Sequence, residues 1–584
     1  MSKTSNEDHV KHSGQLIGEF LSKNNVKFLF TLCGGHISPI FIGAEEFGLR
    51  VIDTRHEATA VFAADATYRL TGIPGVAAVT AGPGLTNSIT PLKNAEMAQS
   101  AVILLGGATA TMLKGRGSLQ DIDQKSLIKP HVKWYKSIKR VKDIIPSFEK
   151  AFEISQSGVP GPVFLELPID VLYPEELVRT WYIPKKEPVG LIPKLFDKYL
   201  RWHVDRMFTP NTTEIKEVRK PLIKTINSSS ISKLSTYIEN STKPLILLGS
   251  QVALRHDLVT HLQSTIEKLG IPVYTSSMAR GIFGRHHELS FRHNRRKALK
   301  DADLIILAGV PMDFRLDYGR SMNSKAVVVN INLDKSTLSL NRFLRKVNMK
   351  IHADPTTSII KLGEFLPARK YQEWIKLLSD RENERNTEID KMGDEETPNI
   401  NPINLVLALE SQIGENAYMV GDGGDFISTI SYIVKPRKAI HWLDPGAFGT
   451  LGSGAGFALA AKLHDPESEV WLFYGDGSAG YTISEFDTFH RHNVNIIAVI
   501  GNDASWQQIA REQTEIFKTD VGTKLIHSNY ESVVTAYQGV GIRVDNEDEV
   551  EKVLTDAINA SKNNPVLINA ILGSTEFRKG SISM

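Results

Sequence analysis

Gly475-Asp476-Gly477-Ser478 follows an apolar run, VWLFY, and precedes a helix-like segment, TISEFDTFHRH. A second apolar run, VNIIAVI, ends at Gly501-Asn502-Asp503-Ala504-Ser505-Trp506. Read as two strands of one parallel sheet, these runs place Asp476 and the Asn502/Asp503 pair on its carboxyl edge, where open α/β sheets bind ligands. Hard oxygen ligands held there suit Mg²⁺, which keeps octahedral geometry and bridges to phosphate. The glycines let the main chain approach a diphosphate, and the helix start adds N–H groups. An isolated Asp-Gly is also a common turn. The weight rests on the succession of strand, GDG, helix, strand and Asn-Asp.

A second constellation lies near the other end. Arg55-His56-Glu57 follows a short strand, LRVIDT, and opens a helix, and Ala81-Gly82-Pro83-Gly84-Leu85-Thr86-Asn87 follows the next strand. Unaided, a Glu at a helix start is ordinary placement against the macrodipole. Two further glycine-rich stretches, GDGGDF at 421–426 and GAFGTLG at 446–452, lie between these constellations. The chain has no Walker P-loop, no HExxH and no GxSxG, and GSGAGF at 452–457 does not fit GxGxxG, so a nicotinamide oxidoreductase is poorly supported.

The elements that must carry these residues form three regions. Apolar runs VKFLFTL, GVAAVTA, AVILLGG and GPVFLELP alternate with helical segments between about 10 and 180. KPLILLGS, IPVYTSS, ADLIILAGV and KAVVVNINL do so from about 240 to 370, and NAYMVGD, EVWLFYGDG, VNIIAVIGND and NPVLINAIL from about 400 to 575. Such runs read as buried parallel strands with crossover helices. The expected fold is α/β, three doubly wound parallel-sheet domains at 10–185, 241–370 and 401–584, and a length of 584 residues suits several cores. Residues 371–400 are highly charged and read as a solvated helix followed by a linker. Within the insert at 186–240, Leu191, Leu195, Phe196, Tyr199 and Trp202 recur at helical spacing, with Lys194, Lys198, Arg201 and Arg206 between them. That amphipathic helix fits either a membrane interface or a neighbouring domain or subunit. No internal repeat stands out.

Composition bounds the function. A formal net charge of +2 gives no reason to expect nucleic acid. Cys33 is the one cysteine, which excludes an internal disulfide and a cysteine-based zinc site. The N-terminal MSKTSNEDHVKHSG is polar and lacks a signal-peptide core, and the most apolar stretch, Ala101 to Leu113, is only about half a membrane span, so no transmembrane helix is expected.

GDG followed by helix, strand and Asn-Asp, together with the Glu57 and AGPGLTN segments, resembles the thiamine-diphosphate-dependent enzymes. The family's two-asparagine pair here reads Asn502-Asp503. The resemblance implies thiamine diphosphate and Mg²⁺ as cofactors, with the metal on Asp476, Asp503 and the Ser505 carbonyl, or on Asn502 if the register slips by one. It places Gly477 and Ser478, and with less support Gly424 and Asp425, at the diphosphate, and Gly82 and Asn87 in the pyrimidine-binding domain. Glu57 would hydrogen-bond N1′ of the aminopyrimidine and favour its imino tautomer. Leu451, flanked by Gly449 and Thr450, matches the bulky apolar residue that props the cofactor's two rings into a V. Gln120 matches a substrate-site glutamine, and His36, after the Gly34-Gly35 turn, is a candidate for proton traffic, with a structural role as its rival.

The resemblance covers nearly the whole chain in the domain order of acetolactate synthases. Gly309 to Gly319, with Asp313 and Arg315, resembles the family's FAD- or ADP-binding segment. GGHISP, WLDPGAFGTLG, GNDASW and EFRKGSISM stand closer to the 2-hydroxyacyl-CoA lyase group, which cleaves 2-hydroxyacyl-CoA to formyl-CoA and a shortened aldehyde. Members of that group carry an N-terminal anchor and sit at the endoplasmic reticulum, so a cytoplasm-facing, membrane-associated enzyme is expected. Its substrate would be an acyl-CoA or a 2-oxoacid. In this family one subunit supplies the Glu and its partner the diphosphate site, which implies a homodimer or homotetramer. Acetolactate-type condensation of pyruvate, a nucleotide-regulated oxidase and a non-catalytic scaffold are the competing readings.

Overall fold

A computed structural model of the protein describes residues 11–579. The first ten residues, and residues 580–584 of the EFRKGSISM stretch, lie outside the described residues. The chain divides into two compact units. One runs through Tyr68 and over Ile73–Pro221, and the other comprises Arg69–Gly72 and the chain from Leu222 onward.

The first unit is built on a six-stranded sheet of β1 (Phe28–Thr31), β2 (Arg50–Asp53), β3 (Gly75–Val79), β4 (Val102–Ala108), β5 (Trp134–Ser137) and β6 (Val163–Pro168), in the order β2-β1-β3-β4-β6-β5. All neighbours are parallel. Every residue of β3, β4 and β6 is buried, as apolar runs covered by helices on both faces require. Phe20 meets Phe148 and Phe152 edge-on at 5.6 and 5.2 Å, which ties the first helix, Gly14–Lys23, to the helix Ile144–Gln156.

The second unit holds two further six-stranded parallel sheets. The central one contains β7 (Pro244–Leu248), β8 (Val273–Thr275), β9 (Ser290–Phe291), β10 (Leu304–Ala308), β11 (Val327–Asn332) and β12 (Met349–His352), in the order β12-β11-β10-β7-β8-β9. The last contains β13 (Tyr418–Asp422), β14 (Trp442–Leu443), β15 (Val470–Gly475), β16 (Ile497–Asn502), β17 (Val540–Val544) and β18 (Val566–Ile571), in the order β14-β13-β15-β16-β18-β17. Three α/β layers with parallel sheets are therefore present. The first and last sheets share one strand order, a topological repeat that no sequence periodicity announces.

The charged segment after the central sheet is a helix, Gln372–Gly393, with a buried underside. Trp374 Nε1 donates to the Pro244 carbonyl at 3.0 Å, Leu378 is buried beside it, and Glu382 accepts the Arg292 and His293 main-chain N–H groups. Leu191–Met207 is a helix as well, and it belongs to the first unit.

Candidate active site

In the last sheet, adjacent strands β14, β13, β15 and β16 send their carboxyl-end loops into one cavity of about 740 Å³. Gly424, Asp425, Gly449, Leu451, Asp476, Gly477, Ser478, Asp503 and Ser505 all line it; Thr450 and Asn502 do not. The Asn502 side chain is fully buried, and its Nδ2 donates to Asn569 Oδ1 at 3.0 Å. The side chain of Asn502 thus braces β16 against β18, and Asp503 is the member of the pair that faces the cavity.

Asp476 is held by its own loop: Oδ1 accepts the Gly477 N–H at 2.8 Å and Oδ2 the Ser505 N–H at 3.1 Å. Tyr530 Oη donates to the Asp476 carbonyl at 2.8 Å. Burial pushes the Asp476 carboxyl up to about 6. Asp503 is pushed up to about 8, first by burial and then by the negative charges of Asp476 and Asp425. Carboxyls whose proton affinity is raised by burial, and at Asp503 also by neighbouring negative charge, form a site that a divalent cation would discharge. Among the described residues no three His, Cys, Asp or Glu side chains form a complete metal cage. Mg²⁺ asks a protein for only one or two carboxylates, with water and phosphate oxygens completing the shell. The donor set therefore suits the metal the resemblance implies.

The diphosphate expectation meets main chain more than side chain. Gly423 and Gly424 take φ of 59° and 99°, values open to glycine, and turn β13 into the helix Asp425–Ile433. The Asp425 carboxylate is occupied by Arg511 at 2.5 Å, with Arg578 at 3.7 Å. The N–H groups at the start of that helix, which have no intrahelical partner, could therefore hold an anion, with the Asp425 side chain turned to its arginine partner.

Leu451 is half-buried and lies over the same turn: a Cβ on Gly423 would fall 2.2 Å from Leu451 Cδ2. Its loop is fixed by Asp422, a fully buried carboxylate that accepts the Gly452 and Gly454 N–H groups at 2.9 and 3.0 Å. Burial raises Asp422 to about 7 against the lowering effect of these donors. Leu451 is thus a cavity-wall residue with a rigid support. Asp422 and Trp506, whose indole stacks over Gly477, are supporting residues that motif matching passed over, although both stand inside the quoted motifs.

In the first unit the expected residues again stand at the carboxyl ends of four adjacent strands. Glu57 starts the helix after β2, His36 follows β1, Gly82 and Asn87 follow β3, and Gln120 follows β4. Glu57 is 6% exposed, and its Oε2 accepts from Asn87 Nδ2 at 3.0 Å. Gln120 adopts a positive φ of 61° and packs on Gly82, where a Cβ would stand 2.8 Å from the Gln120 carbonyl oxygen.

Thr80 connects the remaining two. Its hydroxyl donates to Gln120 Oε1 at 3.3 Å and meets His36 Nδ1 at 3.3 Å. A hydroxyl has one proton, so with that proton given to Gln120 the Thr80 oxygen accepts from His36 Nδ1–H. His36 Nε2 is then the basic nitrogen. Burial lowers the His36 pKa and favours this neutral ring. Thr80 was missed because a threonine beside AGPGLTN carries no signal of its own until the fold sets it between His36 and Gln120.

A larger cavity, about 1010 Å³, lies beside the central sheet and is strongly basic, with Arg280, Arg292, Arg295, Arg296 and Arg315 in its wall. Burial and then the neighbouring Arg280 lower Arg292 to about 10. Asp313 pairs with Arg315 at 2.6 Å and its side chain caps the turn that carries Arg315 to the cavity. Positive charge this concentrated suits a polyanionic ligand such as the FAD or ADP implied above.

Comparison with known proteins gives three consecutive family matches: thiamine pyrophosphate enzyme, N-terminal TPP binding domain, at residues 11–127; its central domain at 231–362; and its C-terminal TPP binding domain at 422–570. The 2-hydroxyacyl-CoA lyase 2 of Danio rerio is 45% identical over 583 residues, covering 98% of this chain and 94% of that protein. The Homo sapiens protein of the same name is 43% identical, covering 98% and 92%. A probable acetolactate synthase of Mycobacterium bovis is 30% identical, covering 98% and 97%.

Proposed function

Because the chain belongs to the thiamine pyrophosphate enzyme family and is a thiamine-diphosphate-dependent carbon–carbon lyase or carboligase, we propose that it cleaves 2-hydroxyacyl-CoA to formyl-CoA and an aldehyde one carbon shorter, as in fatty-acid α-oxidation. The observation that carries this choice is the gap between relatives: those named 2-hydroxyacyl-CoA lyase 2 stand at 43–45% identity, those named acetolactate synthase at 30%. Pyruvate condensation to acetolactate is the second reading, and the Mycobacterium relative supports it.

Thiamine diphosphate, when bound, supplies an electron sink for the carbon–carbon bond that breaks. Mg²⁺ would be held by Asp476, Asp503 and the Ser505 carbonyl, with Gly477, Ser478 and the start of the Asp425–Ile433 helix at the diphosphate. Leu451, flanked by Gly449 and Thr450, would support the cofactor rings. Glu57, oriented by Asn87, would accept a hydrogen bond from the pyrimidine.

The lyase reaction must also take the proton from the substrate's 2-hydroxyl and deliver one to the carbonyl carbon released as formyl. His36 Nε2, freed as a base by the Nδ1–Thr80 contact, fits the first task and in its protonated form the second. The Gln120 carboxamide accepts from Thr80 through Oε1, which leaves its NH₂ to orient the substrate carbonyl. Domains at about 10–185, 241–370 and 401–584, a homodimer as the minimum active unit, FAD or ADP in the central cavity, and a place on the cytoplasmic side of the endoplasmic reticulum complete the proposal.

The test is turnover of a long-chain 2-hydroxyacyl-CoA, with pyruvate in parallel, in Mg²⁺ and thiamine diphosphate. Formyl-CoA and the shortened aldehyde, both lost in Glu57→Ala, are expected. Acetolactate in their place would move the enzyme to the synthase branch, and no product despite bound cofactor would favour a scaffold.

A further inference from the structure

The helix Leu191–Met207 divides its circumference into three sectors. Leu200, Val204 and Met207 are buried against the first unit. The helix is pinned there by Arg179–Asp205 at 2.6 Å and by the edge-on Tyr182–His203 contact at 5.8 Å, both to the preceding helix Glu175–Tyr182. At about 100° per residue, Leu191, Ile192, Leu195, Phe196, Tyr199 and Trp202 share an arc of about 140° on another side. These six are between 46% and 80% exposed. Lys194, Lys198 and Arg201 occupy the third sector, along one border of that arc; Asp205 lies among them, paired with Arg179, and Arg201 is paired with Asp197 at 2.8 Å.

A helix that needed this apolar arc for its own stability would bury it, and here a separate face already does that work. The ring pairs are locally ordered: Phe196–Tyr199 at 6.4 Å and Tyr199–Trp202 at 5.9 Å, with the Arg206 guanidinium 5.3 Å over Trp202. Tyr and Trp on an apolar stripe, bordered by lysines whose stems reach past it, are the composition of helices that lie at a bilayer surface. Lys185 and Lys186, exposed just before the helix, add positive charge at the same end. No helix among the described residues is long and apolar enough to cross a membrane.

We propose that this helix seats the enzyme in the headgroup region of an anionic lipid bilayer, with the Leu191–Trp202 arc in the acyl boundary and Lys194 and Lys198, with Lys185 and Lys186, against lipid phosphates. The inference stands on the helix alone and is independent of the substrate. Its charge complementarity is to a lipid surface; a second copy of the chain would present the same cations.

The experiment is cosedimentation of the full-length protein with vesicles of phosphatidylcholine and phosphatidylserine, beside Leu195→Asp/Phe196→Asp. Wild type is expected to bind, more weakly as salt rises, and the double variant to lose about a hundredfold in affinity or more with its sedimentation mass in lipid-free buffer unchanged. Brominated acyl chains should quench fluorescence in wild type and do so less in Trp202→Phe. Failure of wild type to bind, or binding untouched by the double variant, overturns the proposal. A lipid-free mass that drops in the double variant also overturns it, because the arc is then a contact between copies.

Discussion

Replacing Gly477 by alanine tests the loop around Asp476 with a single methyl group. The new Cβ would lie 2.3 Å from Trp506 Cζ3 and 2.4 Å from Cη2, whereas carbon atoms rest at about 3.6 Å. The indole must therefore withdraw by roughly 1.3 Å. The ring hangs from a tethered stretch of main chain, where the Trp506 main-chain N–H donates to the Thr523 carbonyl at 2.8 Å and the adjacent Ser505 N–H donates to Asp476 Oδ2 at 3.1 Å. Passed on to the main chain, a shift of that size takes the Ser505 bond past hydrogen-bonding range and moves its carbonyl. Overpacking of this kind costs about 1–3 kcal/mol, and a misplacement of about 1 Å at a reacting centre costs about a hundredfold in rate. Thiamine diphosphate affinity in Mg²⁺, read by calorimetry, is expected to fall about 10- to 100-fold with melting temperature lowered by only a few degrees. Trp506→Leu in the same background removes the colliding ring and should recover most of the affinity. Wild-type affinity in Gly477→Ala, or no recovery in the double variant, would show that the indole does not set this loop.

Leu451→Ala should cut kcat about a hundredfold while costing less stability than a core leucine deletion, because the side chain faces a cavity; a large fall in melting temperature with kcat retained would return Leu451 to an ordinary packing role. Thr80→Val keeps the shape but removes the acceptor for His36 Nδ1–H, and kcat is expected to drop about 10- to 100-fold with the cofactor Kd unchanged. Since burial lowers the His36 pKa below 6.5, kcat in wild type should hold as pH falls to 6.5 and decline only below it, a limb that His36→Gln must lack. His293 supplies a stability counterpart. Burial, then Arg292, Arg385 and Lys435, lower it to about 3. The unfolded chain therefore takes up a proton that the folded one refuses as pH falls below 6.5. At pH 5 this withdraws about 2 kcal/mol relative to pH 7.5. Denaturant midpoints of His293→Gln should show that much less loss over the same interval, and an equal loss would mean the ring is protonated in the fold.

The legible part of the fold was its interior. β1, β3, β4 and β6, β7, β8, β10 and β11, and β13, β15, β16 and β18 all read as apolar runs, because strands covered on both faces carry little polar alternation. β5, β9, β12, β14 and β17 did not, and all five are sheet edges. WYKS has no fully buried residue and VGIRV only one, and SF and WL are only two residues long, so neither periodicity nor length marks them. The charged helix Gln372–Gly393 hid its attachment for a related reason: two buried residues, Trp374 and Leu378, hold its first turns against a polar majority. At the site, motifs delivered the residues proposed to do chemistry. Thr80, Asp422 and Trp506 escaped because their roles are to hold another residue, which exists only once distant loops meet.

The shared order of the first and last sheets explains why two unrelated-looking sets of motifs end in equivalent places. Counting strands within each sheet, the order is second, first, third, fourth, sixth, fifth in both. In such a sheet the connections from the first and third strands leave toward opposite faces, which opens a crevice at their carboxyl ends. His36 and Thr80 stand at that switch point in the first sheet; Gly424 and Asp476 stand at it in the last. The second strand delivers Glu57 in one and the Leu451 loop in the other, and the fourth delivers Gln120 and Asp503. One topology, used twice, sets the residues proposed for acid–base work in the first sheet and those proposed for diphosphate and Mg²⁺ in the last. The proposed chemistry differs because the loops differ: Thr80-Ala81-Gly82 and Gly475-Asp476-Gly477 leave the same strand position, one with a hydroxyl that would steer a proton, the other with a carboxylate that would take a metal.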